Sequence, residues 1–285
     1  MKFTFLLIFA MLLWGGGWTA LKILTVSVGV EVLSLWRFII MFFSFIPILF
    51  FLNEPLRLPK ASAVYIFSSS ILNVLFMVFA YLGVERSTAG SGGVIITVLS
   101  PLFTFVLSGL VLSFSYEKKQ YVGLFIGLIG GAVMLDVQNF HGLVQGGEFY
   151  FILAAMTWAG ITLLAQKSHS HIHPVHYSFF IAGFSMIILF LVNIFNDISV
   201  VFEQDLNFWL ALLYLGILGQ TVATTVYFIA SGKLGSGKAS SFMFLVPLFA
   251  LVVSYMVLDE SIQMHIVIGG CVSLFSVYLI NKKRA

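Results

Sequence analysis

The run FTFLLIFAMLLWGGGWTALKIL (residues 3–24) contains one charged residue, Lys22. An α-helix rises 1.5 Å per residue, so about 20 such residues cross the hydrocarbon core of a bilayer. Lys2 precedes the run, as in a secretory signal peptide, but the first apolar stretch leads into WGGGW (14–18) and offers no small-x-small cleavage site. We therefore predict that this segment is a retained first membrane helix.

The same apolar character continues along the whole chain. Of the 285 residues, 60% are hydrophobic and 9% are charged, and the mean hydropathy is +1.09, whereas a soluble domain carries roughly 25% charged residues. The apolar runs are continuous rather than alternating, which excludes a transmembrane barrel and leaves helices as the spanning element. We predict an all-α integral membrane protein with ten transmembrane helices, at residues 3–24, 32–52, 62–83, 89–113, 119–137, 147–166, 175–196, 207–231, 237–258 and 263–281.

The basic residues predict the orientation of these helices. Ten crossings place both termini on one side, and 11 of the 14 lysines and arginines then lie on that side. Only Arg86 lies on the other side, and Lys22 and Arg37 lie within spans. Because basic residues concentrate in cytoplasmic loops, we predict a multi-pass protein of the plasma (inner) membrane with cytoplasmic N- and C-termini.

The two halves of the chain resemble each other at a nearly constant offset. We predict a first five-helix repeat at 1–138 and a second at 147–285. Because five is odd, the second repeat enters the membrane from the opposite face, which gives the inverted repeats found in many secondary transporters. The matched pairs are Trp14 and Trp158, Tyr81 and Tyr227, Pro101-Leu102-Phe103 and Pro247-Leu248-Phe249, Glu117 and Glu260, and Gly127 and Gly269.

A set of short motifs is distributed over both repeats: Trp14-Gly15 with Lys22, Arg37-Phe38, Ala89-Gly90-Ser91, Pro101, Pro247, Asp259-Glu260 and the glycine-rich fifth and tenth helices. These motifs resemble those of the EamA-type branch of the drug/metabolite transporter superfamily. The resemblance covers nearly the whole chain and implies two EamA-like repeats that together transport a metabolite, by export or by bidirectional facilitation. One departure is that Glu117 follows its proline at a distance three residues greater than Glu260 does.

Aromatic and polar residues at helical spacing are the candidate substrate-binding residues. Polar groups at membrane depth need a partner, which is either another helix or a wet cavity. We predict that these side chains line a central cavity, the alternative being helix packing and interhelical hydrogen bonds. The candidates are Trp14, Trp18, Asn73, Tyr81, Trp158, Thr162, Gln220, Thr224 and Tyr227.

The charged residues within the spans are few. Lys22 and Arg37, near the outer ends of the first two helices and close to Glu31, are candidates for a charged gate or an anion contact; the alternative is that their long side chains snorkel to the surface. No Asp or Glu lies at mid-span, and Asp136 lies near an outer end. This pattern argues against a proton relay, against tight capture of organic cations and against an intramembrane aspartyl protease.

Two further features favour ordinary structural roles. His169, His171, His173 and His176 could form a metal patch in an extended joint, but a solvated loop is the preferred interpretation. Cys271 lies in an apolar run and is read as a packing residue. We expect no cofactor, no metal and no nucleic acid partner, and we find no catalytic pair that would make the chain an enzyme.

Together these patterns predict a secondary transporter that works by alternating access within the lipid bilayer. Aromatic rings, amides and hydroxyls suit a small metabolite that is neutral or zwitterionic and has an apolar part, such as an amino acid. The alternatives are a passive membrane channel, an exporter of organic cations or drugs, a membrane enzyme and a scaffold.

Overall fold

A computed structural model of the chain describes residues 2–25, 27–52, 54–87, 89–134, 146–259, 262 and 264–282. Within these ranges every regular element is a helix, and nine helices are long and apolar enough to cross a membrane. Asp136 and Glu260, named above, lie outside the described residues. The predicted all-α membrane architecture is confirmed.

Ten helices follow one another in the part of the chain that the structure describes. The fifth helix contains 17 described residues, fewer than the roughly 20 that cross a bilayer. The positions that follow it directly lie outside the described residues. A short 3-10 helix, Ile198–Glu203, precedes α8. The helices are α1 (Lys2–Leu24), α2 (Val30–Leu52), α3 (Lys60–Arg86), α4 (Ala89–Leu112), α5 (Lys118–Met134), α6 (Glu148–Ser168), α7 (Pro174–Val192), α8 (Leu206 to Leu234), α9 (Ser236 to Leu258) and α10 (Met264–Asn281).

Two of these helices are composite. In α8, an α-helical segment, Leu206–Leu213, is followed by a π-helix, Tyr214–Thr224, and the α-helix resumes at Thr225. In α9, a 3-10 turn, Phe242–Leu245, precedes the segment that contains Pro247. Such interruptions change the direction and the width of a helix locally.

The helix pairing has an internal twofold symmetry. The α3 helix packs on α6 as α8 packs on α1, and α4 packs on α6 as α9 packs on α1. The α5 helix packs on α10, which is its counterpart in the second repeat. This exchange of partners is what two five-helix repeats related by a twofold axis produce.

Consecutive crossings define two ends of the bundle. The terminal end holds the start of α1, the end of α10 and the joints α2–α3, α4–α5, α6–α7 and α8–α9; the distal end holds the remaining joints. At the terminal end, the Gln166 side chain accepts a hydrogen bond from the Ser236 amide at 2.7 Å. At the distal end, the Ser87 hydroxyl donates to the Glu148 carboxylate at 2.6 Å. Hydrogen bonds between separate helices therefore connect the helices at both ends.

The surface of the bundle is apolar and much of its interior is polar. Phe50, Phe51 and Phe195 are at least 79% exposed, whereas Ser69 and Ser70 are fully buried. The Ser69 hydroxyl lies 2.6 Å from the Tyr177 hydroxyl. Lipid tails are the solvent for such a surface, and buried hydroxyls that bond across helices hold the helices together.

Candidate binding cavity

A cavity of about 130 Å³ lies between the helices of the two repeats. Apolar cavities of roughly 150 Å³ admit a molecule the size of benzene. The lining extends from Leu21 and Val84, near the distal ends of α1 and α3, to Trp14 and Trp158 near the middle of α1 and α6, with Met243 of α9 beneath them. The cavity therefore occupies the distal half of the bundle.

The floor of the cavity is aromatic. The rings of Trp14 and Trp158 meet edge to face, with centroids 5.2 Å apart and an interplanar angle of 82°. Tyr227 lies 5.0 Å from Trp14 and 5.9 Å from Trp158, and Phe76 lies 5.1 Å from Trp158. We call Trp14 and Trp158, which both line the cavity, the aromatic floor. Edge-to-face pairs of this kind are rigid and present both apolar faces and polar edges.

A hydrogen-bonded layer lies under the aromatic floor. The Thr162 hydroxyl is 3.0 Å from the Tyr227 hydroxyl and donates to the Trp158 carbonyl at 2.9 Å. The Tyr227 hydroxyl also lies 3.7 Å from the Met243 sulfur. Thr162 and Tyr227 have no exposed surface. The terminal half of the bundle is therefore sealed directly beneath the cavity.

The π-helix of α8 shapes one wall. Its wider turns leave carbonyl groups available to side chains. The Gly219 carbonyl accepts hydrogen bonds from Trp14 Nε1 at 3.0 Å and from the Thr224 hydroxyl at 3.2 Å. The Thr221 hydroxyl donates to the Gly216 carbonyl at 3.1 Å. The π-helix thus fixes Trp14, a floor residue of α1. It was not predicted from the sequence, where the glycines and threonines of this segment are its only signal.

Most of the candidate residues meet at this cavity. Trp18 and Tyr81 reach it from the distal sides of α1 and α3. Thr162 and Tyr227 do not line it but lie in the sealed layer below. The candidate residues that line the cavity are Trp14, Trp18, Asn73, Tyr81, Trp158, Gln220 and Thr224.

The three candidate gate residues do not lie together in the structure. Arg37 lines the cavity, where its Nη1 donates to the Tyr81 hydroxyl at 3.3 Å. Lys22 and Glu31 are exposed and do not belong to the lining. The Glu31 backbone carbonyl accepts a hydrogen bond from the Asn193 side chain at 3.1 Å, which ties α2 to α7.

The histidines near the α6–α7 joint have separate contacts, except that the rings of His173 and His176 meet edge to face with centroids 5.6 Å apart. The His173 ring nitrogen accepts from the Val175 amide and caps α7, and the His171 ring stacks on Tyr65 at 6.1 Å. Burial, with help from the positive charge of Lys233, lowers the pKa of His169. In the part of the chain that the structure describes, no three His, Cys, Asp or Glu side chains come together as a metal site.

The chain is similar in sequence to a known transporter family and to individual proteins. The model of the EamA-like transporter family matches residues 1–135 and 145–282. A chloroplastic WAT1-related protein of Arabidopsis thaliana is 31% identical over 72% of this chain; the aligned part is 51% of that protein, so the chain spans about half its length. The uncharacterized transporter YoaV of Bacillus subtilis is 23% identical over 93% of this chain and 92% of its own.

A solved crystal structure has the same fold. Its TM-score is 0.78, and the match covers 98% of this chain and 97% of the other at 17% identity. At that identity the likeness concerns the arrangement of helices and not the chemistry of the cavity.

Proposed function

The chain belongs to the EamA-like transporter family, and we propose that it is a secondary transporter that moves one small metabolite by alternating access. The solute is an amino acid or a similar neutral or zwitterionic molecule with an apolar part. Transport runs as export or as facilitated passage. The relatives named as transporters support membrane transport in general.

The unequal state of matched residues in the two repeats supports alternating access. Trp18 and Tyr81 of the first repeat line the cavity. Their counterparts Thr162 and Tyr227 of the second repeat are buried in hydrogen bonds at the terminal side. Two inverted copies of one fold can exchange these conformations, and the exchange would close the distal half and open the terminal half.

The lining of the cavity supports the choice of solute. Trp14, Trp158 and Phe76 offer apolar faces for a benzene-sized group, and Asn73 and Gln220 offer amides. Binding sites for small molecules combine a mostly apolar wall with a few placed polar groups in this way.

Two alternatives fit the cavity less well. A passive channel needs a continuous path, whereas the sealed layer of Thr162, Tyr227 and Met243 closes the terminal half. An exporter of organic cations would be helped by a carboxylate, and none of the described residues that line the cavity is Asp or Glu.

We place the protein in the plasma (inner) membrane with the terminal end in the cytoplasm. Lys60, Lys118 and Lys119 lie at helix starts on the terminal end, and Lys167 and Lys233 lie near helix ends there. Arg86 is the one basic residue in the distal joints of the sequence. This distribution follows the positive-inside rule, and the cavity would then face the outside.

A flux assay tests the proposed transport. Proteoliposomes that hold the purified protein and a mixed pool of labelled amino acids and related metabolites should show saturable flux of one class. Unlabelled solute on the opposite side should accelerate that flux, as expected for a carrier. Flux that rises linearly with concentration and shows no counter-transport would instead support a channel, and no flux of any solute would contradict both.

Thiol labelling tests the direction in which the cavity faces. The native thiol, Cys271, is exposed on the surface of α10, so the prediction that it packs between helices is wrong. It is first replaced by alanine. In that background, Ala80→Cys in the cavity wall is expected to react with a membrane-impermeant maleimide added to intact cells. The matched variant Ser231→Cys, fully buried at the terminal side, is expected to react at least about tenfold more slowly.

The same experiment has two informative failures. Labelling of Ala80→Cys only in inverted vesicles would contradict the predicted orientation. Equal labelling of Ala80→Cys and Ser231→Cys would contradict a sealed terminal half. Protection of Ala80→Cys by a transported solute would support the cavity as its binding site.

A further inference from the structure

Arg37 is a cation in the cavity wall that no carboxylate among the described residues neutralises. Its Nη1 donates to the Tyr81 hydroxyl at 3.3 Å and lies 3.7 Å from the Met77 sulfur. Its Nε is buried without a hydrogen-bond partner. Among the residues that the structure describes, no carboxylate lies within 4.0 Å of it.

The neighbours of Arg37 leave most of its hydrogen-bonding capacity unused. A guanidinium carries five N–H donors in a planar fork, whereas a phenol oxygen and a thioether sulfur are neutral acceptors, and sulfur is a weak one. An uncompensated charge at membrane depth is costly, and such residues mark ion or substrate paths. The geometry of the fork matches a carboxylate, which it can bind through two parallel hydrogen bonds.

The depth of Arg37 gives the ligand a direction. Arg37 lies seven residues after the distal start of α2, and Trp158 lies ten residues after the distal start of α6. At 1.5 Å per residue, these positions are roughly 10 Å and 15 Å below the distal end. An anionic group at Arg37 would therefore lie nearer the mouth, and an apolar body would extend inward to the aromatic floor.

A second polar group faces the same cavity. The amide oxygen of Gln220, a residue 7% exposed, is buried without a hydrogen-bond partner. This neutral acceptor can take one hydrogen bond from an ammonium or a hydroxyl of a ligand. It offers no negative charge, so it attracts an ammonium much less than Arg37 attracts a carboxylate.

We propose that Arg37 binds the carboxylate of the transported solute, so that the amino-acid-like solutes proposed above are recognised by their carboxylate and by an apolar group of about the size of a benzene ring. The α-amino group of an amino acid contributes less and is dispensable. Tyr81 is a positioning residue, because its hydroxyl holds the guanidinium at the wall. This inference rests on the proposed transport function and names what the carrier recognises.

A matched set of ligands tests the proposal by binding. Trp14, Trp18 and Trp158 line the cavity, so tryptophan fluorescence of the purified protein reports occupancy. The set is phenylalanine, 3-phenylpropanoate without the amino group, and phenylalaninamide without the carboxylate. We expect 3-phenylpropanoate to bind within about threefold of phenylalanine, and phenylalaninamide to bind about 10- to 100-fold more weakly than phenylalanine.

Variants of Arg37 test whether this side chain causes the preference for carboxylates. Arg37→Gln is expected to weaken binding of both carboxylates by about 10- to 100-fold and to leave phenylalaninamide binding within about threefold. Arg37→Lys keeps the charge without the fork and should lose less than Arg37→Gln. The control is Arg86→Gln, which removes another distal cation outside the cavity, where it contacts Tyr150, and should change none of the three affinities.

Two results would overturn the proposal. One is phenylalaninamide binding as tightly as 3-phenylpropanoate, and the other is carboxylate binding that Arg37→Gln leaves intact. Retained phenylalaninamide binding, together with an unchanged melting temperature, shows that Arg37→Gln is folded. Saturable flux of phenylalaninamide without a carboxylate preference would refute this inference and support the carrier. Arg37-dependent carboxylate binding with no flux of any solute would support this inference and refute the carrier.

Discussion

Replacing Trp158 with alanine is expected to lower the affinity for the transported solute by about 30-fold, which is the effect of losing a buried aromatic anchor. Trp158 packs against Trp14, Phe76 and Tyr227, so its loss removes one side of the floor on which the apolar part of the solute rests. The initial rate of flux at low solute concentration should fall by a similar factor. Tryptophan fluorescence and proteoliposome flux measure the two effects.

The same substitution also leaves a hole in a packed core. Truncation of a buried tryptophan costs about 3–5 kcal/mol of stability, so the melting temperature must be followed alongside binding. Trp158→Phe keeps an aromatic ring and should retain a larger part of both stability and affinity.

The matched control is Trp36→Ala at the distal end. Trp36 packs on Trp209 and Phe202, and its indole N–H donates to the Ile198 carbonyl at 2.9 Å. It does not line the cavity. We expect it to lower stability without changing the affinity for solute. If Trp158→Ala bound the solute with wild-type affinity, the aromatic floor would not be part of the binding site.

Replacing Gly269 with valine is expected to lower the free energy of unfolding by about 3 kcal/mol. A Cβ atom on Gly269 would lie 2.5 Å from the Gly130 carbonyl oxygen and 3.0 Å from the Met134 amide nitrogen. A Cβ atom on Gly130 would meet the Gly269 carbonyl oxygen at 2.8 Å. Because these atoms belong to the main chain, α5 and α10 would have to move apart along the line where the two repeats meet.

Gly109→Val in α4 is the control for the loss of a helical glycine. The nearest atom to a Cβ there is the Phe114 carbonyl oxygen at 3.9 Å, which is an ordinary contact. Valine also favours helix over glycine by a few tenths of a kcal/mol, so stability should be unchanged or slightly raised. Thermal unfolding in detergent compares the two variants, and equal melting temperatures would contradict the close α5–α10 contact.

The sequence was sufficient for the membrane architecture. Hydropathy and charge act residue by residue, so continuous apolar runs predict helices in lipid whatever those helices later pack against. The inversion of the repeats follows from the odd number of spans in each. Predicted and observed helix ends agree within a few residues, as at 3–24 for α1 and 237–258 for α9.

The composition of the cavity was only partly predictable. Helical spacing grouped Trp14, Trp18 and Lys22 on one stripe of α1, yet Lys22 is exposed and does not line the cavity. The π-helix that aims the Gly219 carbonyl at Trp14 has no strong sequence signature. Both outcomes depend on the rotation and depth of a helix relative to helices from distant parts of the chain.

The sequence by itself determined that lipid is the solvent of this chain, that about ten helices cross it, and that they form two inverted sets. Only the tertiary structure decided that Tyr81 lines a cavity while its counterpart Tyr227 is sealed. The physical reason is that the repeated pattern specifies both halves alike, whereas packing leaves one half open and the other closed. That difference is a property of the conformation and not of either residue.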